Sequence, residues 1–278
     1  MELRRWQRAL HRVAVAARVY DVYRRAADAL GPLPLPIRRG ALAGKTLAVR
    51  PSLARPAYLA GDYEPAVSAA LLERAGPGKV CFDVGAHFGY FTLLMAARGA
   101  CVHAFEPSPA NFRALARTIA VNHLDHAHAH PLAVSACDGW EDLSITAASS
   151  MCRLRENARF FLRAGEGVVR TERVPVVSLD SFVARAGAPR VDLIKIDVEG
   201  EELRVLLGMQ AIVRRWQPTL IIEVHRELAT GEDPRAVLHL LRRWGYTCRD
   251  LGAGGAAITT FAHTWSEHHV LAEASAQE

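Results

Sequence analysis

Residues 80–89 read Val80-Cys81-Phe82-Asp83-Val84-Gly85-Ala86-His87-Phe88-Gly89, an apolar run that ends in a turn with two glycines. The apolar residues predict a buried strand. The glycines predict a turn that opens a helix, because glycine adopts backbone dihedrals that other residues avoid. Open α/β sheets bind ligands where a strand passes into such a turn. The segment therefore predicts a parallel α/β sheet and a ligand site formed by Asp83, Gly85, Ala86, His87 and Gly89.

A second apolar strand, residues 100–105, ends at Glu106, which lies 21 residues after Gly85. In a right-handed βαβ unit this spacing places the Glu106 carboxylate beside the glycine turn. There it can accept hydrogen bonds from the two ribose hydroxyls of a bound adenosine. Pro107 ends the strand, and Ser108 is expected to cap a helix over residues 109–122.

The glycine spacing also limits which nucleotide can bind. A dinucleotide dehydrogenase needs the phosphate-binding pattern G-x-G-x-x-G, whereas three non-glycine residues separate Gly85 from Gly89. Asp83 places a negative charge beside the turn, which disfavours a diphosphate. S-adenosylmethionine has a sulfonium, an ammonium and no phosphate, and we therefore expect it as the cofactor.

Acidic residues and a histidine follow two further predicted strands. The strand over residues 191–196 ends at Asp197, and the strand over residues 219–224 carries Glu223 and His225 toward the same edge. Because the carboxyl ends of parallel strands meet at one edge, we expect these three side chains to converge. Glu199 and Glu201 add acids at the start of the next helix, where negative charge is also simply stabilising.

Such a cluster can remove the proton of a hydroxyl acceptor as the acceptor attacks a methyl group. Histidine has an ordinary pKa of about 6.5 and suits this task at neutral pH. We therefore expect His225 to be the base, with Asp197 and Glu223 as further catalytic residues. A divalent cation held by Asp197 and Glu223 is the alternative, and the sequence leaves both mechanisms open.

Three ordered segments carry a resemblance to a known family: residues 83–89, Phe105-Glu106-Pro107, and Ile194-Lys195-Ile196-Asp197-Val198-Glu199-Gly200. They resemble the FkbM family of S-adenosylmethionine-dependent methyltransferases. Gly61-Asp62-Tyr63-Glu64 and Leu220-Ile221-Ile222-Glu223-Val224-His225 are also similar, so the resemblance covers roughly residues 40–270. His87 stands where the family usually has asparagine.

The resemblance implies a hydroxyl acceptor on a sugar or a secondary metabolite. It also implies that the adenine ring lies against Ala133, Val134 and Ser135, with Asp138 a weaker candidate for the adenine amino group. The function expected is therefore O-methylation. Methylation of a macromolecule, and cofactor binding without catalysis, are the alternatives.

Alternating strands and helices continue downstream. We expect a third strand over residues 127–134, two antiparallel strands over residues 141–146 and 173–177, a sixth strand over residues 245–251 and an antiparallel last strand over residues 268–271. Together they predict an α/β fold of the class I, Rossmann-like type. Its doubly wound, mostly parallel seven-stranded sheet would carry helices on both faces.

The charge is unevenly distributed. The net charge is +5, but residues 1–50 hold 11 Lys and Arg against 3 Asp and Glu, and the rest of the chain is mildly acidic. Apolar residues at helical spacing among arginines predict a basic amphipathic helix over residues 3–30. Gly31 and prolines 32, 34 and 36 predict an extended linker. We therefore divide the chain into an N-terminal extension, residues 1–39, and a methyltransferase domain, residues 40–278.

These features limit the partners. The acidic body disfavours nucleic acid. We expect the basic helix to pack on the domain or on a dimer partner, which leaves a homo-oligomer open, and peripheral contact with an anionic membrane is the alternative. The chain has no run of 18 apolar residues, and its cysteines, at 81, 101, 137, 152 and 248, show no pairing framework. We therefore expect a cytoplasmic enzyme with reduced thiols. His126, His128 and His130 recur at every second position along one strand, and we expect no metal site there because they lie in a line.

Overall fold

The computed structural model describes residues 31–146, 153–154, 168–187, 190–226, 233–258, 260–261 and 267–275, with Ala26, Ala29 and Gly231. The predicted amphipathic helix lies outside the described residues except for Ala26 and Ala29. The strands are β1 (Leu33–Pro36), β2 (Thr46–Val49), β3 (Val80–Val84), β4 (Cys101–Phe105), β5 (Ala127–His130), β6 (Ala133–Val134), β7 (Gly139–Thr146), β8 (Arg153–Leu154), β9 (Val168–Val177), β10 (Leu193–Ile196), β11 (Thr219–His225), β12 (Tyr246–Asp250), β13 (Ala256–Ala257) and β14 (Glu267–Ala274). The α-helices are α1 (Pro56–Ala60), α2 (Pro65–Arg74), α3 (Tyr90–Ala97), α4 (Pro109–Val121), α5 (Leu179–Ala186), α6 (Glu202–Leu207), α7 (Gln210–Trp216) and α8 (Arg235–Arg243).

The main sheet has the order β13-β12-β14-β11-β10-β3-β4-β5. Strands β11, β10, β3, β4 and β5 are mutually parallel, and β14 lies antiparallel between β11 and β12. The predicted doubly wound, mostly parallel sheet is confirmed. Within the described residues it has eight strands rather than seven, because Ala256–Ala257 adds a short edge strand to β12.

Apolar side chains cover both faces of this sheet. Phe82 belongs to a buried cluster with residues of α5 to α8, while its neighbour Cys81 belongs to a cluster with residues of α2, α3 and α4. Successive strand residues point to opposite faces, so a strand buried on both faces is apolar almost throughout. The polar side chains within such strands therefore stand out, and Asp83 and Lys195 are two of them.

The predicted third strand is divided in two. Residues Ala127–His130 pair with β4 in the main sheet, whereas Ala133–Val134 pair with β9 in a second sheet of order β6-β9-β7-β8. Pro131 separates them, and proline cannot donate the backbone hydrogen bond that would continue the strand. The second sheet contains the predicted antiparallel pair, as β7 and β9.

The predicted linker is also partly a strand. Leu33–Pro36 pairs antiparallel with Thr46–Val49, and Ile37 is buried in the cluster that includes α2 and α3. Prolines are tolerated because β1 lies at the edge of a two-stranded sheet, where some backbone N–H groups need no partner. Among the described residues, the packed part of the chain therefore includes residues 33–37.

The cysteines that the structure describes, Cys81, Cys101, Cys137 and Cys248, are free thiols. Among the helices in the described ranges, none has the length and apolar character of a membrane-spanning segment.

Candidate functional site

The turn after β3 is fixed by the packing of the protein itself. Gly85 and Gly89 have φ of +82° and +89°, the left-handed region that favours glycine. A Cβ atom on Gly85 would lie 1.7 Å from the carbonyl oxygen of Asp197, and one on Gly89 would lie 2.7 Å from Leu115 Cδ1. The sequence predicted these glycines for close approach of a ligand, but neighbouring protein atoms already require them. The turn therefore lies directly against Asp197.

Glu106 is buried after β4 and holds the turn through hydrogen bonds. Its Oε2 accepts from the His87 N–H at 2.8 Å, and its Oε1 accepts from the Ser108 N–H at 2.9 Å and the Asn111 amide at 3.4 Å. Burial raises the pKa of Glu106 to about 7, although these bonds favour the ionised form. A carboxylate has about four acceptor positions, so capacity remains for ribose hydroxyls. Ser108 precedes α4 as predicted, but its side chain makes no capping hydrogen bond.

His87 combines a left-handed backbone with a buried ring nitrogen. Its φ is 53°, and its ring centroid lies 4.2 Å from that of Phe88. Burial lowers the pKa of His87 to about 3, so the imidazole is neutral. Its Nε2 is buried and has no hydrogen-bond partner among the described residues. Asparagine and histidine both tolerate this backbone region better than most residues, which makes histidine compatible with the turn.

Asp83 and Lys195 are register partners on β3 and β10, and both are buried. Asp83 Oδ2 accepts a hydrogen bond from the Thr92 hydroxyl at 2.6 Å. Burial raises the pKa of Asp83 against the opposing effect of the Lys195 ammonium. Asp83 Oδ1 is buried without a hydrogen-bond partner within the described part of the chain, so it can accept one from a ligand.

Asp197 follows β10 and is held by the same lysine. Lys195 Nζ lies 3.0 Å from Asp197 Oδ2 and 4.7 Å from the centroid of the Phe91 ring. Burial acts to lower the pKa of Lys195, but the carboxylates of Asp197 and Asp83 raise it above its ordinary value. Burial acts to raise the pKa of Asp197, yet Lys195 and His225 hold it below its ordinary value. Asp197 is therefore ionised and fixed in position.

His225 ends β11 among carboxylates. Its Nδ1 lies 2.7 Å from Glu202 Oε1, and its Nε2 lies 3.4 Å from Glu199 Oε2 and 3.6 Å from Glu223 Oε1. Burial acts to lower the pKa of His225, but Glu202, Glu199 and Asp197 raise it well above its ordinary value. The imidazole is thus protonated at neutral pH, unlike the histidine of ordinary pKa that the sequence led us to expect. To act as a base, His225 must first lose this proton.

The three predicted catalytic residues lie together. One ligand atom each of Asp197, Glu223 and His225 lies within 4.8 Å of the others, and the same holds for Glu64, Glu223 and His269. Glu223 Oε2 lies 3.2 Å from Nε2 of His269, its partner across β11 and β14. Burial acts to lower the pKa of His269, but Glu223 and Glu64 raise it. The catalytic roles stay predictions.

Glu201 does not join this cluster. Its Oε2 accepts a hydrogen bond from the Ser135 hydroxyl at 3.3 Å and lies 3.3 Å from Arg204 Nε. Glu202 faces His225 instead, and its Oε1 also accepts the Gly200 N–H at 2.8 Å. Adjacent residues at a helix start point in directions about 100° apart, so only one of the two acids can face β11.

The predicted adenine corner is buried. Ala133–Val134 and Ser135 are each no more than 3% exposed. Asp138 Oδ1 accepts the Ser178 N–H at 2.8 Å, and Oδ2 accepts from Arg185 at 2.6 Å. Asp138 thus bonds the residue that precedes α5 with one oxygen and Arg185, in the last turn of α5, with the other. Contact of the other three residues with adenine stays a prediction.

The histidine run bonds to other parts of the protein. His126 Nε2 lies 2.9 Å from the Ala96 carbonyl oxygen, and His130 Nε2 lies 3.0 Å from His103 Nδ1. Burial lowers the pKa of both His103 and His130 to about 4. Neither of the clusters with metal-ligand spacing in the described ranges includes these histidines.

Four residues of the site were not predicted as functional: Glu64, Lys195, Glu202 and His269. Lys195 had a signal, since a lone lysine in a strand buried on both faces needs carboxylate partners. Glu64 lies in the Gly61 to Glu64 segment that carried part of the resemblance. His269 and Glu202 had no such signal in the sequence. The role of His269 depends on which strand pairs with β11, and the role of Glu202 depends on which residues of α6 face β11.

Comparisons with known proteins identify the family of this chain. A family model described as the methyltransferase FkbM domain matches residues 83–248. The 31-O-demethyl-FK506 methyltransferase FkbM of Streptomyces tacrolimicus is 33% identical over 196 residues, covering 62% of this chain and 74% of that protein. The hexuronic acid methyltransferase AglP of Haloferax volcanii is 30% identical over 176 residues, covering 62% of this chain and 64% of that protein. A crystal structure of an FkbM methyltransferase from Methylobacillus flagellatus has 16% identity and a TM-score of 0.44, covering 79% of this chain and 56% of that one. Since the family model spans more than half of the sequence, the chain belongs to the FkbM family of S-adenosylmethionine-dependent methyltransferases.

Proposed function

We propose that this protein transfers a methyl group from S-adenosylmethionine to a hydroxyl oxygen of a sugar or a secondary metabolite. The observation that carries the proposal is the contact between the glycine turn and Asp197. Gly85 packs against the Asp197 backbone, while the Asp197 carboxylate belongs to the cluster with Glu223 and His225. A cofactor bound at the turn would therefore lie beside groups able to handle the proton of a hydroxyl.

Polar atoms around the turn fit this cofactor. Asp83 Oδ1 is buried without a hydrogen-bond partner in the described ranges and suits an ammonium or a hydroxyl donor. Glu106 would accept the ribose hydroxyls, and His87 Nε2 provides a second buried polar atom. Gly85, Ala86, Gly89 and, at the adenine, Ala133, Val134 and Ser135 would complete the binding surface. The acidic surroundings suit a cofactor that carries a sulfonium.

When bound, S-adenosylmethionine supplies a methyl group that its sulfonium already activates. The residues of this chain would then position the acceptor oxygen in line, exclude water and take up the hydroxyl proton. Asp197, Glu223 and His225 are the groups we propose for that work. Asp197 is ionised, whereas His225 has to lose its proton before it can accept another.

The names of the relatives favour an oxygen acceptor. The Streptomyces protein is named for a 31-O-demethyl compound and the Haloferax protein for a hexuronic acid. The first name specifies a methyl group on oxygen, and the second specifies a sugar acid. We propose the same broad acceptor class for this chain.

The test is transfer of a radiolabelled methyl group from S-adenosylmethionine to a panel of hydroxylated sugars and secondary metabolites. We expect His225→Gln to lower kcat by about 10²- to 10⁴-fold, the usual contribution of a positioned acid or base, with little change in cofactor affinity. Asp233→Asn, at an exposed ion pair with Arg235, serves as the matched control and should keep full activity. Cofactor binding without transfer to any acceptor would instead favour a silent binding protein. Unchanged kcat in His225→Gln would contradict the proposed role of that residue.

A further inference from the structure

We propose that Asp197, Glu223 and His225 bind one divalent transition-metal ion at the carboxyl edge of the main sheet. The three side chains come from the ends of β10 and β11, and one ligand atom of each lies within 4.8 Å of the others. Their use in methyl transfer rests on the proposed function. Binding of the ion does not.

The distance between the proposed ligands His225 and Glu223 is closer to the spacing of two ligands of one ion than to a hydrogen bond. Nε2 of His225 lies 3.6 Å from Oε1 of Glu223. An N–H···O hydrogen bond is about 2.7 to 3.2 Å long. Two atoms that each lie about 2.1 Å from one metal ion are separated by roughly 3.0 to 3.4 Å. A small movement of His225 and Glu223 toward an ion would therefore let both side chains coordinate it.

Each proposed ligand is also held by a partner through an atom that the ion would not need. Glu202 lies 2.7 Å from His225 Nδ1 and so leaves Nε2 for the metal. Lys195 lies 3.0 Å from Asp197 Oδ2, which leaves the other carboxylate oxygen. His269 lies 3.2 Å from Glu223 Oε2, while Oε1 lies on the His225 side, 3.6 Å from Nε2. Metal ligands in proteins are commonly oriented by outer partners of this kind, above all a carboxylate on the second ring nitrogen of a histidine.

The charge of the surroundings points the same way. Glu64, Glu199 and Glu202 lie within reach of the two imidazoles, in addition to the proposed ligands Asp197 and Glu223. Lys195 supplies a lysine ammonium near these carboxylates. A divalent ion would offset this excess of carboxylates.

The donor set selects the kind of ion. One imidazole nitrogen and two carboxylate oxygens suit Mn²⁺, Fe²⁺, Co²⁺ or Zn²⁺ better than Mg²⁺ or Ca²⁺, which prefer oxygen alone. Binding through Nε2 requires His225 to release the proton that it holds in the absence of the ion. In the proposed reaction such an ion would hold the acceptor oxygen and favour loss of its proton, and His225 would then act as a ligand instead of the base. Acceptors with two neighbouring oxygens would then be preferred, since both can reach one ion.

The test is titration of the full-length protein, freed of metal and without a histidine tag, with Mn²⁺ alone. Electron paramagnetic resonance measures the loss of the free-ion signal. We expect one ion per chain, about 100-fold weaker binding in Glu223→Gln and His225→Gln, and about 10- to 100-fold weaker binding in Glu202→Gln. His128→Gln and Glu73→Gln are matched controls at exposed positions and should bind as the wild type does. Equal binding in all variants, or no binding by the wild type at millimolar Mn²⁺, would overturn the proposal.

Pulsed resonance on the wild type gives a measurement that does not depend on the folding of variants. Bound Mn²⁺ should show coupling to one imidazole nitrogen, and coupling to none would count against the site. The titration contains no methyl donor or acceptor. Absence of Mn²⁺ binding therefore leaves the proposed methyl transfer standing, and failure of methyl transfer with intact Mn²⁺ binding counts against that function alone.

Discussion

We expect Glu106, as a proposed cofactor-binding residue, to make cofactor affinity depend on pH near neutrality. Burial raises its pKa to about 7 from an ordinary 4.5. The carboxyl is thus mostly neutral at pH 6 and mostly ionised at pH 8. In the proposed contact the ribose hydroxyls would donate to the ionised form, so affinity for S-adenosylmethionine should rise with pH through 7 and level off above it. The ionised fraction changes about tenfold between pH 6 and pH 8, which sets the size of the effect.

Glu106→Gln is the variant that isolates this titration. Its amide cannot ionise, so the rise between pH 6 and pH 8 should disappear, while titration of the cofactor's own amino group affects both proteins alike. Glutamine also replaces one of the two acceptors facing the His87 and Ser108 N–H groups, so affinity at pH 8 should fall by about 10- to 100-fold. Calorimetric titration with S-adenosylmethionine measures both effects. The reasoning is refuted if the two proteins share one pH profile.

The pH dependence of folding stability tests the raised pKa of Glu106 independently. An acid whose pKa is raised on folding binds a proton more tightly in the native state, so the native state loses stability as pH rises from about 4.5 to about 7. A shift of this size corresponds to about 3 kcal/mol. Relative to the wild type, Glu106→Gln should therefore gain stability between pH 5 and pH 8 in urea unfolding. A constant difference across that range would contradict the raised pKa.

Two substitutions test the packing between the turn and the cluster. Gly85→Ala combines a φ of +82° with a Cβ 1.7 Å from the Asp197 carbonyl oxygen, and should destabilise by about 4 kcal/mol or more, whereas Gly78→Ala, with a φ of +76° and nothing within 4 Å, should cost only about 1 to 2 kcal/mol. Equal losses in chemical denaturation would show that the contact with Asp197 is unimportant. Lys195→Met leaves buried carboxylates without their ammonium and should destabilise by about 3 to 5 kcal/mol, while Lys79→Met, at a lysine 48% exposed, should cost less than about 1 kcal/mol. Similar stabilities of these two variants would refute the role assigned to Lys195.

The sheet was predictable because its strands are buried on both faces and therefore appear as short apolar runs ending in turn residues. The positions of Asp83, Glu106, Asp197, Glu223 and His225 were predictable for the same reason, since these residues lie within the last residues of those runs or directly after them. The division of the third strand was not predicted from hydrophobic patterning. It arises at Pro131, which has no N–H with which to continue the hydrogen-bond ladder.

Residues brought together across elements could not be predicted in this way. His269 reaches Glu223 because β14 inserts antiparallel between β11 and β12, and nothing local in the sequence fixes that insertion. Whether Glu201 or Glu202 faces His225 depends on where α6 begins, and a shift of one residue changes which acid faces inward. The raised pKa of His225 follows from the position of Glu202, because Glu202 has the largest effect among the charges that raise it.

Asp197 is the residue through which the two halves of the site act on each other. Its backbone oxygen lies against Gly85, and its carboxylate is held by Lys195, whose partner across the strands is Asp83. The proposed cofactor turn and the acid cluster are therefore joined by both backbone packing and a buried ion pair. A change of charge at the cluster acts on Lys195 and, through Lys195, on the ionisation of Asp83. Cofactor affinity and acceptor chemistry should consequently respond together to substitutions at Asp197, whereas a substitution at His225 reaches the turn only through the charge of Asp197 and should change cofactor affinity much less than the acceptor step.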